Sequence, residues 1–146
     1  LSVGKLRAEG YLKALELNKI AVNNNIILRT DSEDDLNDKI ESLIDDNSID
    51  GIFALDETDS VAALKFGLKK GYKIPEELSI IGFADGILAS RRLAPRLTTV
   101  SQHGIEIGEV AARLLIDRLE SKEEHVPYET KVIKTKLKER ESTRKL

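Results

Sequence analysis

The residues best equipped for chemistry are few and poorly placed for it. The chain holds two histidines, His103 and His125. Neither has a second histidine three or four residues away, the spacing at which one helix face presents two imidazoles to a metal. Both read as solvated loop or cap residues. With no cysteine in the sequence, thiolate metal sites and disulfides are excluded together. A serine nucleophile calls for a Gly-x-Ser-x-Gly elbow, and nucleotide chemistry for a Gly-x-Gly-x-x-Gly or a glycine-rich loop ending in Lys-Ser/Thr. None of these patterns occurs. The acidic group Asp31, Glu33, Asp34, Asp35 and Asp38 lacks the alternating ligands, central glycine and terminal glutamate of a calcium loop. It reads instead as acids complementing the dipole of a helix N-terminus. Asp56 and Asp59 are either a carboxylate pair for acid/base work or cap and first-turn residues, and capping is the better fit. This inventory gives no catalytic residue, no metal and no cofactor.

Carboxylates matter more for where they fall than for their number. In open α/β sheets ligands bind beyond the carboxyl ends of the strands. Asp31, Asp56 and Asp85 each follow an apolar run that reads as a strand: Ile26–Leu28, then Asp50–Leu55, then Leu78–Gly82. The runs lack polar alternation, as strands covered on both faces do. Between them lie helical periodicities. Leu6, Ala8, Tyr11, Leu12 and Leu15 mark one helix from Val3 to Leu17, and Leu36, Ile40, Leu43 and Ile44 a second. Val61, Leu64 and Leu68 mark a third, with Lys69 and Lys70 suited to its C-terminal dipole and Gly71 to its left-handed stop. Strands recurring about every 25 residues with helices between them predict a parallel, doubly wound α/β sheet. The opening helix has no strand before it, so further chain is expected upstream of Leu1.

After Gly82 the rhythm changes. Ala84 to Arg96 reads as a loop, Leu97 to Val100 as a short strand, and Ile105, Gly108, Ala112, Leu115 and Leu119 as the apolar seam of a long helix that must pack on something. Thr130 to Glu139 alternates Ile133, Thr135 and Leu137 with Lys134, Lys136 and Lys138, the pattern of a half-exposed edge strand protected by lysines. There is no internal repeat. At 146 residues the chain has material for one ordinary core. Its net charge of −3 gives no attraction for phosphate backbones, so these residues alone are not expected to bind DNA. No stretch approaches the roughly 20 apolar residues of a membrane span, and a cytoplasmic protein with no membrane partner is expected.

Four segments, in order, carry a resemblance: Arg7-Ala-Glu-Gly-Tyr11; Asp50-Gly-Ile-Phe-Ala-Leu-Asp56; Ile74-Pro-Glu-Glu-Leu-Ser-Ile-Ile-Gly-Phe83; and Pro95-Arg-Leu-Thr-Thr-Val-Ser-Gln102 with Ile107-Gly108. A closing Arg140-Glu-Ser-Thr143 follows them. Together they resemble the C-terminal part of the lac/galactose repressor family, whose regulatory core has the periplasmic sugar-binding protein fold. The resemblance implies a partial effector-binding and dimerisation domain, with residues 1–100 and 128–146 in the C-terminal lobe and residues 101–127 in the N-terminal lobe. It implies a ligand-responsive repressor whose DNA contact comes only from a helix-turn-helix headpiece upstream. Its partners would be a sugar or related polar metabolite and a second copy in a homodimer. An extracytoplasmic sugar-binding protein of a transporter or sensor, which shares the fold, is the alternative.

By the same resemblance Arg7 is placed in the effector site, where a fork of donors suits hydroxyl or carboxylate groups. Asp85, Asp56 and Asp31 are expected beside it, and Leu64, Leu68, Leu88 and Leu93 at the dimer surface. The chain departs from sugar-binding members at Leu55, where a polar residue is common, and at Ala84, which leaves Asp85 as a single acid after Gly82-Phe83. Ser32 and Glu33 stand where an aromatic would stack on a sugar.

Overall fold

Helix ends are set by the residues that the sequence marks for them. In the computed structural model, which describes residues 3–29, 36–47, 49–83, 94–122 and 126–145, Asp56 lies in extended backbone and its Oδ1 accepts the Asp59 N–H at 2.8 Å. The helix it opens, Glu57–Lys70, stops at Gly71, whose φ of 81° is open to glycine without a Cβ penalty. The Gly71 N–H donates to Leu68 O at 3.1 Å and the Tyr72 N–H to Gly67 O at 3.0 Å, closing the last turn. We label the helices α1 (Val3–Leu17), α2 (Leu36–Asn47), α3 (Glu57–Lys70) and α4 (Gly104–Glu120), and the strands β1 (Gly51–Ala54), β2 (Ser79–Gly82), β3 (Thr98–Ser101) and β4 (Lys136–Lys138).

The four strands form one sheet in the order β1-β2-β3-β4. β1 and β2 run parallel with Ile52 opposite Ile80, β2 and β3 parallel with Ile81 opposite Thr98, and β4 antiparallel to β3 with Leu137 opposite Val100. The doubly wound α/β expectation holds, with an antiparallel strand added at one edge. Side chains alternate across the sheet. Ile52, Ala54, Ile80 and Gly82 face α2 and α3, where Leu36, Ile40, Ile44, Ala63, Leu64, Phe66, Leu78, Ile80 and Leu97 form the core. Phe53, Ile81 and Phe83 face α1. α3 lies so close to β2 that a Cβ on Gly82 would sit 1.9 Å from Ser60 Oγ, so glycine is required at that crossing.

Several expectations are corrected. Leu64 is fully buried, not a dimer contact: it points from α3 into the sheet, while Leu68 one turn on is exposed. No strand forms at Ile26–Leu28 among the described residues. Instead Asn24–Ile26 is a 3-10 turn, with the Asn23 side chain accepting from the Asn25 N–H at 3.0 Å, a local bond that competes with strand pairing. The closing strand pairs only over Lys136–Lys138, all exposed, and not along Thr130–Glu139.

The Arg140–Thr143 motif is a stitch across the amino ends of the strands. Ser142 is fully buried. Its Oγ donates to Ile80 O at 2.5 Å and accepts the Thr98 N–H at 2.8 Å. Its backbone oxygen accepts the Ile80 N–H at 2.7 Å and its N–H donates to Arg96 O at 3.1 Å. Ser142 thus bridges β2 and β3 where the two strands diverge. Around it Arg96 holds Glu141 in a fork, Arg140 donates to Leu97 O and Thr99 Oγ1, and Arg144 pairs with Asp50 at 2.7 Å.

Candidate functional site

At the opposite, carboxyl ends of the same strands, one arginine gathers three of them. Arg7, half-buried on α1, donates from Nη1 to Leu55 O, the residue after β1, and from Nη2 to Gln102 Oε1 at 2.9 Å, the residue after β3. Its guanidinium lies over the ring of Phe83, the residue after β2, with Cζ 4.3 Å from the ring centre. The aromatic line continues from Phe83 to Phe53 at 6.0 Å and from Phe53 to Tyr11 at 6.4 Å. Arg7 and Tyr11 reach the sheet together because they lie four residues apart on one face of α1.

A cleft of about 460 Å³ opens here, walled by Leu6, Arg7, Gly10, Tyr11, Phe53 and Phe83. Its apolar walls and single convergent cation match the usual anatomy of a small-molecule site. A larger cavity of about 590 Å³ lies between α1, α2 and the sheet, where the aliphatic Ile26, Ile40, Ile44 and Ile52 are joined by Asn23, Asp50 and Ser79. It is the weaker candidate because no cation among the described residues lines it and it reaches toward Asp50 and Ser79 at the amino ends of β1 and β2, whereas ligands of open α/β sheets bind at the carboxyl ends. Two of Arg7's five N–H donors are engaged by described residues, which leaves a partly committed fork at the cleft. Among the described residues no cluster of histidine, cysteine or acidic side chains could hold a metal.

Of the residues expected in the site, Arg7 stands at its centre. Asp56 lies next to Leu55, exposed, with Oδ1 committed to capping α3. Asp31 and Asp85 fall outside the described residues, as do Leu88, Leu93 and His125. His103 caps α4 by position, with φ 56° and Nδ1 3.6 Å from Glu106 Oε2. Gln102 lies within the Pro95–Gln102 segment, where the residues alone assign it no role. Phe53 falls in the Asp50–Leu55 run and Phe83 in the Ile74–Phe83 segment, and the i, i+2 spacing of Ile81 and Phe83 is the signal that puts Phe83 on the α1 face.

The chain matches a family described as periplasmic binding protein-like domain over residues 1–143. It is 38% identical over 141 residues to a ribose operon repressor of Halalkalibacterium halodurans, an overlap covering 94% of this chain and 40% of that protein. It is 30% identical to the HTH-type transcriptional repressor PurR of Haemophilus influenzae, covering 90% of this chain and 39% of PurR. The chain therefore spans about 40% of the length of these curated relatives. Among solved structures it is similar to a LacI family transcriptional regulator from Enterococcus faecium with bound ribose. That pair has a TM-score of 0.81 and 29% identity, over 96% of this chain and 51% of that one. A periplasmic binding protein/LacI transcriptional regulator from Alkaliphilus metalliredigens, complexed with D-xylulofuranose, gives a TM-score of 0.76 and 28% identity, over 95% of this chain and 51% of that one.

Proposed function

The chain belongs to the periplasmic binding protein-like domain family in its LacI-type regulator branch, and on that premise we propose that it senses a small sugar for a transcriptional repressor. The observation that carries the reading is Arg7, held by the ends of three parallel strands with donors left over for a ligand. Aromatic walls and an arginine fork suit a neutral polyol, whose apolar face stacks while its hydroxyls accept hydrogen bonds. Asp56 is near enough in sequence to Leu55 to join the contact set, and Asp31 and Asp85 complete it in this proposal. The chain has no enzymatic role in this reading and works in the cytoplasm.

The effector acts by population shift: bridging two lobes, it favours one lobe angle, and a homodimer passes that angle to DNA-binding headpieces of the helix-turn-helix type. Leu68, Leu88 and Leu93 contribute to the dimer surface. Residues 1–100 and 128–146 form one lobe and residues 101–127 belong to the other. The bare seam of α4 supports that division, since Ile105 is 83% and Leu119 75% exposed and no residue of the helix is buried. A helix carrying such a seam has its packing partner elsewhere.

Titration with D-ribose, D-xylulose and cellobiose tests the proposal. A sugar present at a hundredfold excess over its Kd should stabilise the chain by about 2.7 kcal/mol. A panel that gives neither binding heat nor stabilisation would remove the sugar-sensor reading.

A further inference from the structure

We propose that the cavity of about 590 Å³ between α1, α2 and the sheet is a second ligand site, separate from the effector cleft, and that it takes a neutral, largely apolar small molecule. The inference does not depend on what the cleft binds. The cavity falls within the roughly 300–1,000 Å³ of ordinary ligand pockets. Ile40 and Ile44 of α2, Ile52 of β1 and Ile27 beside the 3-10 turn give it an aliphatic wall. The polar groups at its edge are already committed within the chain. Asp50 pairs with Arg144 at 2.7 Å, the Ser79 hydroxyl donates to Pro75 O at 3.3 Å, and the Asn23 side chain accepts the Asn25 N–H at 3.0 Å. With no cation among the described lining residues, a charged or richly hydroxylated ligand would lose its hydration there without replacement. Water fares no better, since a buried water needs about two to four polar partners.

The walls stand apart because each is fastened elsewhere. α2 gives Ile40 and Ile44 to the core and ties Glu41 to Lys70 of α3. α1 has no buried residue; it reaches the sheet through Arg7 on Leu55 O and through Tyr11 against Phe53, ring centres 6.4 Å apart. Neither helix closes on the other without giving up these contacts, so the aliphatic lining keeps its surface for an occupant. Removing that lining from water drives the binding. Tyr11 and Phe53 wall the cleft as well, so the occupant lies behind the cleft's aromatic line and gives α1 the packing it lacks.

The probe is N-phenylnaphthylamine, an uncharged aromatic amine whose fluorescence rises in apolar surroundings. Titrated into the chain, it should bind one molecule per chain, and nuclear Overhauser contacts should join its rings to the methyls of Ile40, Ile44 and Ile52. Ala8 lines the cavity from α1 and lies outside the walls of the cleft. Ala8→Trp puts an indole into the same space and should weaken probe binding by about tenfold or more, a loss of about 1.4 kcal/mol, with a cooperative unfolding transition showing that the variant is folded. Where it does not fold, Ile27→Trp fills the space from the 3-10 turn with the same expected loss. Absence of binding would overturn the proposal. So would contacts confined to the Leu115 and Leu119 methyls of the α4 seam, or binding that a folded filling variant leaves unchanged.

Discussion

The amino ends of β1, β2 and β3 and their carboxyl ends are built on opposite plans. At the amino ends polar groups are buried and internally paired: Ser142, Thr98 and Thr99 are at most 1% exposed, and the Ser142 side chain and backbone together make four bonds to β2, β3 and Arg96. At the carboxyl ends Arg7, Phe53 and Phe83 are half-covered or exposed, and the arginine keeps donors in reserve. A buried hydrogen-bonded cluster holds register because any broken bond leaves an unpaired group in a dry place. An open rim tolerates unpaired donors, since water satisfies them until a ligand does. The two ends of one sheet thus differ in how fully their polar groups are paired within the chain.

The sharpest break in that contrast lies beneath both ends, in the core. Leu64→Ala should destabilise the chain by about 2–5 kcal/mol at any protein concentration. Leu68→Ala, at an exposed position, should change the stability of the monomer by less than about 1 kcal/mol. Urea unfolding at two concentrations separates the two, and a small effect for Leu64→Ala would return that residue to the surface.

Next in size is Ser142→Ala. It leaves the Thr98 N–H and Ile80 O without their side-chain partner and should cost about 1–3 kcal/mol. A neutral result would mean that the backbone bonds of Ser142 hold the strands without its hydroxyl.

The smallest effect concerns the exposed pair beside the stitch. The side-chain hydrogen bond from Arg96, joined by the Arg96 backbone N–H and the attraction of its charge, holds the Glu141 carboxyl below the usual carboxylate range. A folded-state pKa below the unfolded one contributes stability above the ordinary carboxylate value, and that stability is lost as pH falls through the lowered value. Arg96→Ala should raise the Glu141 titration, followed by carboxyl carbon-13 shifts, toward the ordinary range, with the bond from the backbone N–H at position 96 retained. An unmoved titration would show that the pair does not persist in solution.

Much of this organisation was legible in the residues. Asp56 and Gly71 announce the ends of α3 because capping is local chemistry, and the unbroken apolar runs announce β1 and β2. Arg7 became a candidate through the motif around it, not through periodicity, which assigns it only to a helix surface. Leu64 and Leu68 could not be told apart by spacing: both lie on the apolar stripe, and only the packing of Ala63, Phe66 and Gly67 against the sheet decides which one is buried. Asn23 to Asn25 turned a short apolar run into a 3-10 turn, because three residues are too few for strand propensity to outweigh a side-chain bond. Ser142 stands in the closing Arg140–Thr143 motif, but its residue type gives no sign of burial. A buried serine in a charged closing segment acquires its role from strands 62 and 44 residues away.

Arg7→Ala, with D-ribose titration and urea unfolding run on one preparation, separates a role of Arg7 in recognition from a role in stability. With Arg7 in the effector site, affinity should fall about a hundredfold, the loss expected when a charge-assisted contact worth about 2–3 kcal/mol is removed, with unfolding free energy within about 1 kcal/mol of wild type. Unchanged affinity, or a loss of folding as large as the loss of binding, would take Arg7 out of the effector site.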